Sequence, residues 1–327
     1  MNATKGDYAE VNGLRMYYEV HGEGRPLVVL HGAYMTVDVM GSILPGLAET
    51  RRVIVPEMQG LGRTADIDRP ITYEGMADDV AALIRHLGLD RPDAFGYSMG
   101  GVALQLAIRH PGSVRRLVVA SASYTSEGMQ PELHEMIPTI TPEMFSGSPM
   151  EASYQDLAPN PEDFPVLVEK LKDLDMTPFD WGAENVRGIG APTMIVVGDA
   201  DVVRLEHAVE MFRLLGGGAM GDLSGLPDSQ LLVLPGTAHF VPPGSGVLDR
   251  AGWLVPMMAV PGRTRGGGGA IGGGRAVRRV PDVAEPARGG GRQVPGTSPL
   301  RQLGTPARIT TGRRPFCQSD SPCGSRR

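Results

Sequence analysis

Residues 93–101 read Asp93-Ala94-Phe95-Gly96-Tyr97-Ser98-Met99-Gly100-Gly101, and an apolar segment carrying Val102, Leu106 and Ala107 follows. A short apolar strand ends here in a serine flanked by glycines, and a helix begins. The stretch fits the G-x-S-x-G pattern in its strand–turn–helix context. So tight a turn leaves no room for side chains at the glycine positions that flank the serine. Glycine on both sides lets Ser98 take a strained backbone conformation with its hydroxyl exposed. The helix that follows aims its N-terminus at the same point, where negative charge is favoured.

Outward from this turn, buried strands alternate with helices. Continuous apolar runs at 26–30, 52–55, 93–96, 117–120, 193–197 and 231–234 suit strands covered on both faces of a parallel sheet. Met76, Val80, Leu83, Ile84 and Leu87 fall at helical spacing and stop at Gly88. Leu205, Ala208, Val209, Phe212 and Leu215 repeat the pattern and stop at the glycines 216–218. The segments 8–11 and 14–20 flank Asn12-Gly13, the dipeptide of a two-residue hairpin. Alternation of this kind predicts an α/β fold with right-handed crossovers. Residues 124–188 break the rhythm with eight prolines and short amphipathic pieces, and predict a small helical cap inserted between two halves of the core, 1–123 and 189–258. The stretch 216–221 lacks lysine and follows a helix, so it reads as a connector and not as a phosphate loop.

Composition divides the 327 residues again. The last 71 residues, from Met257, hold 13 arginines, no lysine and three acids, hence +10; the rest carries −16, and together they make the formal −6. Glycine and proline without a period predict disorder from 259 to 327, so that the tail is either a basic arm or the product of a frameshift. Arginine with glycine suits RNA, but Phe316 is the tail's one aromatic, and an acidic body is a poor nucleic-acid surface. Both cysteines, Cys317 and Cys323, lie in the tail, which removes a thiol nucleophile, a cysteine-bound zinc and a disulfide framework from the body. With no long apolar run and no leader-like start, the expected location is cytoplasmic. No cofactor and no metal is expected, and the expected partner is a small-molecule substrate, with no nucleic acid and no membrane.

A serine hydroxyl needs a base, and the base an acid that orients it. His239 follows the last predicted strand through Pro235-Gly236-Thr237-Ala238, on the same sheet edge as Ser98. His86, His110 and His207 fall on helices with no apolar neighbour that demands them. The acid is Asp199 or Asp201, after the strand that runs into Gly198-Asp199-Ala200-Asp201; the other is a cap or turn former. Backbone N–H groups of Ala33, after His31-Gly32, and of Met99 would serve a developing oxyanion. Met129, Met136, Met144, Met150 and Met176 either pack the cap or line an acyl pocket.

With these features in one order, the chain resembles the α/β-hydrolase superfamily over roughly residues 8–258. The carriers are His31-Gly32, Glu57-Met58-Gln59-Gly60-Leu61-Gly62 in place of the usual D-x-R/Q-G-x-G loop, the serine elbow, Gly198-Asp199-Ala200-Asp201 and the late His239. The resemblance implies a Ser-His-Asp triad, and its G-x-x-D spacing selects Asp201. It is nearest to small esterases and to haloperoxidase-like or meta-cleavage-type hydrolases. The implied activity is hydrolysis of a small ester, thioester or lactone; the alternatives are carbon–carbon bond hydrolysis or haloperoxidase-like chemistry on the same triad, and a non-catalytic ligand-binding member of the fold. Serine at 98 departs from epoxide hydrolases and haloalkane dehalogenases, which use aspartate there. A final helix is expected over 246–258.

Overall fold

The computed structural model describes residues 5–239, which lie within one compact unit, Met1–Gly266. The expected final helix and the arginine-rich tail fall outside the described residues.

Eight strands form one sheet: β1 (Lys5–Val11), β2 (Leu14–His21), β3 (Arg25–Leu30), β4 (Arg51–Pro56), β5 (Asp93–Tyr97), β6 (Leu117–Ala120), β7 (Thr193–Ala200) and β8 (Gln230–Ala238). Their spatial order is β1-β2-β4-β3-β5-β6-β7-β8. The pairs β1–β2 and β2–β4 are antiparallel and all others are parallel. Asn12 and Gly13 both take positive φ, 49° and 82°, and close the expected hairpin. It is longer than the apolar pattern suggested, because pairing continues out to Lys5↔Val20.

Successive side chains of the parallel strands enter opposite layers, as a period of two requires. Val28, Leu30, Ala94, Leu117, Val119, Ile195 and Val197 belong to one apolar layer. Leu27, Val29, Phe95, Val118, Ala120, Met194 and Val196 belong to the other. Burial on both sides explains why these strands read as unbroken apolar runs.

The helices are α1 (Leu44–Ala48), α2 (Tyr73–His86), α3 (Val102–Arg109), α4 (Pro131–Met136), α5 (Pro149–Leu157), α6 (Phe164–Met176), α7 (Ala183–Arg187), α8 (Leu205–Leu214) and α9 (Gly221–Ser224). Thr72 caps α2 by accepting the Gly75 N–H at 3.0 Å, and Gly88 leaves the helix at φ 60°. The connector after α8 contains α9, one short turn before β8. Helices α4 to α7 all lie between β6 and β7. Prolines there start helices instead of ending them: Pro131, Pro138, Pro142, Pro149, Pro161 and Pro165 stand in first turns. That position lacks an intrahelical donor in any case and suits proline's fixed φ.

At the N-terminal edge of the parallel strands Asp93 is buried and receives Arg51 at 2.7 Å and Arg115 at 2.5 Å. The opposite edge, where β3, β5, β6, β7 and β8 end, holds the candidate site. Among the described residues no helix is long and apolar enough to cross a membrane, and no group of three or more His, Cys, Asp or Glu could hold a metal ion.

Candidate active site

Ser98 follows β5 directly and has φ 57°, the left-handed conformation that its glycine neighbours foretold. A Cβ at Gly96 would overlap the Gly100 carbonyl, and one at Gly100 would come within 2.5 Å of the Leu30 carbonyl oxygen. The glycines therefore admit the turn itself and let it pack onto β3. Ser98 is partly exposed while Met99 and Gly100 are buried, so the hydroxyl stays reachable on a rigid support.

Ser98 Oγ lies 2.8 Å from His239 Nε2. His239 Nδ1 lies 2.8 Å from Asp201 Oδ1. Burial raises the pKa of Asp201, but the bonds from His239, Ser121 and the Gly198 N–H outweigh it and hold the carboxyl below its ordinary range. An ionised carboxylate only accepts, so the proton sits on Nδ1 and leaves Nε2 to accept the Ser98 hydroxyl. The three sequence candidates are thus brought into one hydrogen-bonded line from the ends of β5, β7 and β8.

Asp199 has a different role. Its carboxylate accepts the backbone N–H groups of Gly236 and Thr237, at 2.9 and 3.0 Å. These bonds fasten β8 to β7 across a register shift between Gly198 and Ala200. The expected loop at 235–238 is therefore strand, and His239 is the first residue beyond it.

Ser121, just past β6, completes the row and was missed from sequence. It takes φ 52° and donates its hydroxyl to Asp201 Oδ2 at 2.5 Å. A small hydroxyl residue at the end of a buried strand was the one signal for it.

The loop after β3 is pinned by His31, which is fully buried. Its Nδ1 donates to the Gly32 carbonyl at 2.8 Å and its Nε2 accepts the Met58 N–H at 3.2 Å. Burial pushes its pKa down to about 4, against the raising effect of the Gly32 bond. A Cβ at Gly32 would stand 3.3 Å from Ser98 Cβ, so Gly32-Ala33 runs against the elbow. Met99, on the other side, is the second residue of the turn Ser98–Gly101.

Glu57 replaces the family's aspartate and is buried. It accepts the N–H groups of Val37 and Arg63, at 3.1 and 2.6 Å, and the Arg63 guanidinium at 3.0 Å. A Cβ at Gly62 would overlap this carboxyl, so the longer acid and the glycine require each other. Gln59 continues the support by donating to Asp66 and Arg69, and Lys170 on α6 reaches Asp66 Oδ2 at 2.6 Å and the Ile67 and Arg69 carbonyls.

Asp175, also on α6, is a second acid that sequence reasoning passed over. Burial pushes its pKa up to about 6, and His239 is the charge that opposes the rise. It follows Leu171 and Leu174 on the edge of the helix's apolar face, which was its only signal. The neighbouring surfaces are aromatic. Tyr34 packs on Phe145 at 4.7 Å, and Tyr73 packs on Phe179 and Trp181 at 5.1 and 5.3 Å. Of the five methionines, Met136, Met144 and Met176 are exposed; Met150 lines a small cavity with Tyr34, Thr36, Leu61, Tyr154 and Phe164.

A second serine–histidine–acid line exists and is structural. Ser123 Oγ meets His207 Nε2 at 2.8 Å, and His207 Nδ1 lies 3.3 Å from Glu210. Yet Ser123 gives its proton to the Thr125 carbonyl at 2.5 Å, and the pair is buried beneath Gly128, where a Cβ would overlap both side chains. His207 is therefore a buried helix residue, not the unconstrained one expected.

The α/β-hydrolase-fold family matches residues 25–172. Soluble epoxide hydrolase of Corynebacterium sp. strain C12 is 39% identical over 115 residues, which is 34% of this chain and 39% of that protein. The chain thus spans about two fifths of that relative's length. Pimeloyl-[acyl-carrier protein] methyl ester esterase of Yersinia enterocolitica is 25% identical over 253 residues, covering 69% of this chain and 90% of the other. Among solved structures, a meta-cleavage product hydrolase from Pseudomonas fluorescens IP01 superposes with a TM-score of 0.58 at 19% identity, over 76% of this chain and 96% of that one. This likeness shows the fold. Strand order, matched segment and the near full-length relative agree on the α/β-hydrolase fold, and the chain is similar to members of that superfamily.

Proposed function

We propose that the protein is a serine hydrolase of small-molecule esters, thioesters or lactones. The observation that carries this reading is the line Ser98 Oγ–His239 Nε2–Asp201, with both contacts at 2.8 Å. Ser98 Oγ attacks the carbonyl carbon while its proton passes to Nε2. The carbonyl oxygen becomes an oxyanion facing the Ala33 and Met99 N–H groups. The tetrahedral intermediate collapses, and the leaving group departs with the proton from Nε2. Water then gives a proton to Nε2, attacks the acyl-serine and releases the acid, returning the proton to Ser98. Asp201 keeps the imidazole in the required tautomer and stabilises its charged form.

Ester chemistry is further supported by the esterase relative, which aligns over 90% of its own length. Serine at 98 separates the chain from an epoxide-opening mechanism that needs a carboxylate nucleophile, although the first relative is an epoxide hydrolase. The test is a series of p-nitrophenyl esters of increasing acyl length, together with a fluorophosphonate probe. Wild type should turn over one or more esters and be labelled at Ser98. Ser98→Ala should fold and do neither. Turnover retained by pure Ser98→Ala would sink the assignment.

A further inference from the structure

Tyr97 precedes the nucleophile in the elbow, yet its side chain is buried in the opposite apolar layer with Phe95 and Val118. From there it reaches His239. Its hydroxyl donates to the His239 carbonyl oxygen at 2.5 Å, and its ring lies against the imidazole with centroids 5.4 Å apart and planes 21° apart.

Sheet geometry explains why such a contact matters. Ser98 follows β5, and His239 follows β8, three strands away at the end of the sheet. At about 4.8 Å per strand, the two backbones are referenced to each other through roughly 14 Å of ladder. Each intervening register adds its own play, and β7–β8 carries a register shift close to the site. β8 pairs on one side only among the described strands, and its last registered pair is Ala200↔Ala238, one residue short of the histidine. Tyr97, by contrast, is in register with Ala120 on β6, and its neighbour Ser98 is locked at φ 57°.

We propose that Tyr97 is a positioning residue for His239, its phenol holding the base's main chain at the distance where Nε2 meets Ser98 Oγ. The inference rests on the reading of Ser98 and His239 as nucleophile and base. A phenylalanine would fill the same space in the layer, so the hydroxyl is the part that acts. It ties His239, beyond the sheet's last strand, directly to the strand that carries Ser98 and bypasses three strand pairings.

The test uses the full chain with Tyr97→Phe, which removes the bond and keeps the ring, and Tyr97→Leu, which removes both. Tyr97→Phe should lower kcat about tenfold with KM within twofold, and should slow fluorophosphonate labelling of Ser98 by the same factor. Tyr97→Leu should lose more. In proton NMR the far-downfield Nδ1–H resonance of His239 should broaden or vanish in Tyr97→Phe. Wild-type kcat and labelling rate in Tyr97→Phe would overturn the proposal. So would a loss confined to KM, or one that disappears well below the variant's Tm, since either belongs to packing. If wild type itself is neither labelled nor active, the hydrolase reading fails separately. The downfield resonance then decides alone: unchanged in Tyr97→Phe it refutes the positioning role, and broadened it supports it.

Discussion

Asp199 and Asp201 stand two residues apart at the end of β7 and face different partners. Asp201 presents one oxygen to His239 at 2.8 Å, whereas Asp199 accepts two backbone N–H groups of β8. The bulge at Gly198/Ala200 separates them. Asp201→Asn should therefore remove most turnover. An amide can donate to Nδ1, which moves the imidazole proton to Nε2, where it can no longer accept from Ser98. In serine proteases the equivalent change costs about 10⁴ in turnover. Asp199→Asn keeps one acceptor and should cost about 1 kcal/mol of stability with activity within a few-fold. Steady-state kinetics and thermal melts of both variants check this. A larger kinetic loss in Asp199→Asn would reverse the two roles.

Ser121→Ala should act through Asp201 alone. The hydroxyl donates to the oxygen that does not face His239, and its loss leaves a buried carboxylate one donor short. Hydrogen bonds to charged groups are worth about 1.5–3 kcal/mol. We expect kcat to fall roughly tenfold, on the order of 1.4 kcal/mol of barrier, with KM unchanged. A change in KM alone would place Ser121 on the substrate side.

Much of this site was legible because its chemistry sits beside backbone constraints. Gly96 and Gly100 announce Ser98, since a Cβ at either would collide with the turn or with β3. His239 was legible through its strand end, and the end of β7 narrowed the acid to Asp199 or Asp201, between which only the resemblance chose. What stayed hidden depends on contacts between strands. Nothing local distinguishes Ser121 from any serine after a strand, and the role of Tyr97 exists only once β5 and β8 share a sheet. His207 reads as an ordinary helix residue until Ser123 and Gly128 cover it. The strand at 235–238 was hidden by Pro235 and Gly236, residues that normally end strands; here the Asp199 carboxylate takes the N–H groups of Gly236 and Thr237.

Lys170 ties α6 to the loop after β4, with Asp66 Oδ2 at 2.6 Å and the Ile67 and Arg69 carbonyls at 2.9 and 3.0 Å. Lys170→Met keeps the aliphatic stem and strips all three acceptors of a cation. A loss of about 1–2 kcal/mol should follow, read in urea melts. Since Phe164, Leu167 and Asp175 ride on the same helix, KM should rise more than kcat falls. An effect on kcat alone would mean that α6 moves the reacting groups and not the pocket wall.

Fully buried His31 and half-buried Asp175 act against each other in acid. His31 has its pKa pushed from 6.5 to about 4 by burial. Between these values the unfolded chain binds a proton that the folded chain refuses, so stability falls as pH drops through that window, by up to about 3 kcal/mol. Asp175 has the reverse sign. Its pKa rises from 3.8 to about 6, again by burial, so between 6 and 3.8 the folded chain holds the extra proton and stability grows as pH drops. In wild type the two terms offset each other between pH 6 and 4. Asp175→Asn removes the cost of a buried charge and the acid-side gain together. At pH 8 the variant should be more stable than wild type, on the order of 1 kcal/mol or more. Its stability should then decline more steeply below pH 6, because the His31 term is no longer opposed, and the two proteins should converge near pH 4. Urea midpoints at pH 8, 6 and 4 measure this. Parallel curves for the two proteins across the range would show that Asp175 titrates alike in the folded and unfolded chains, and would remove it from the buried surface around His239.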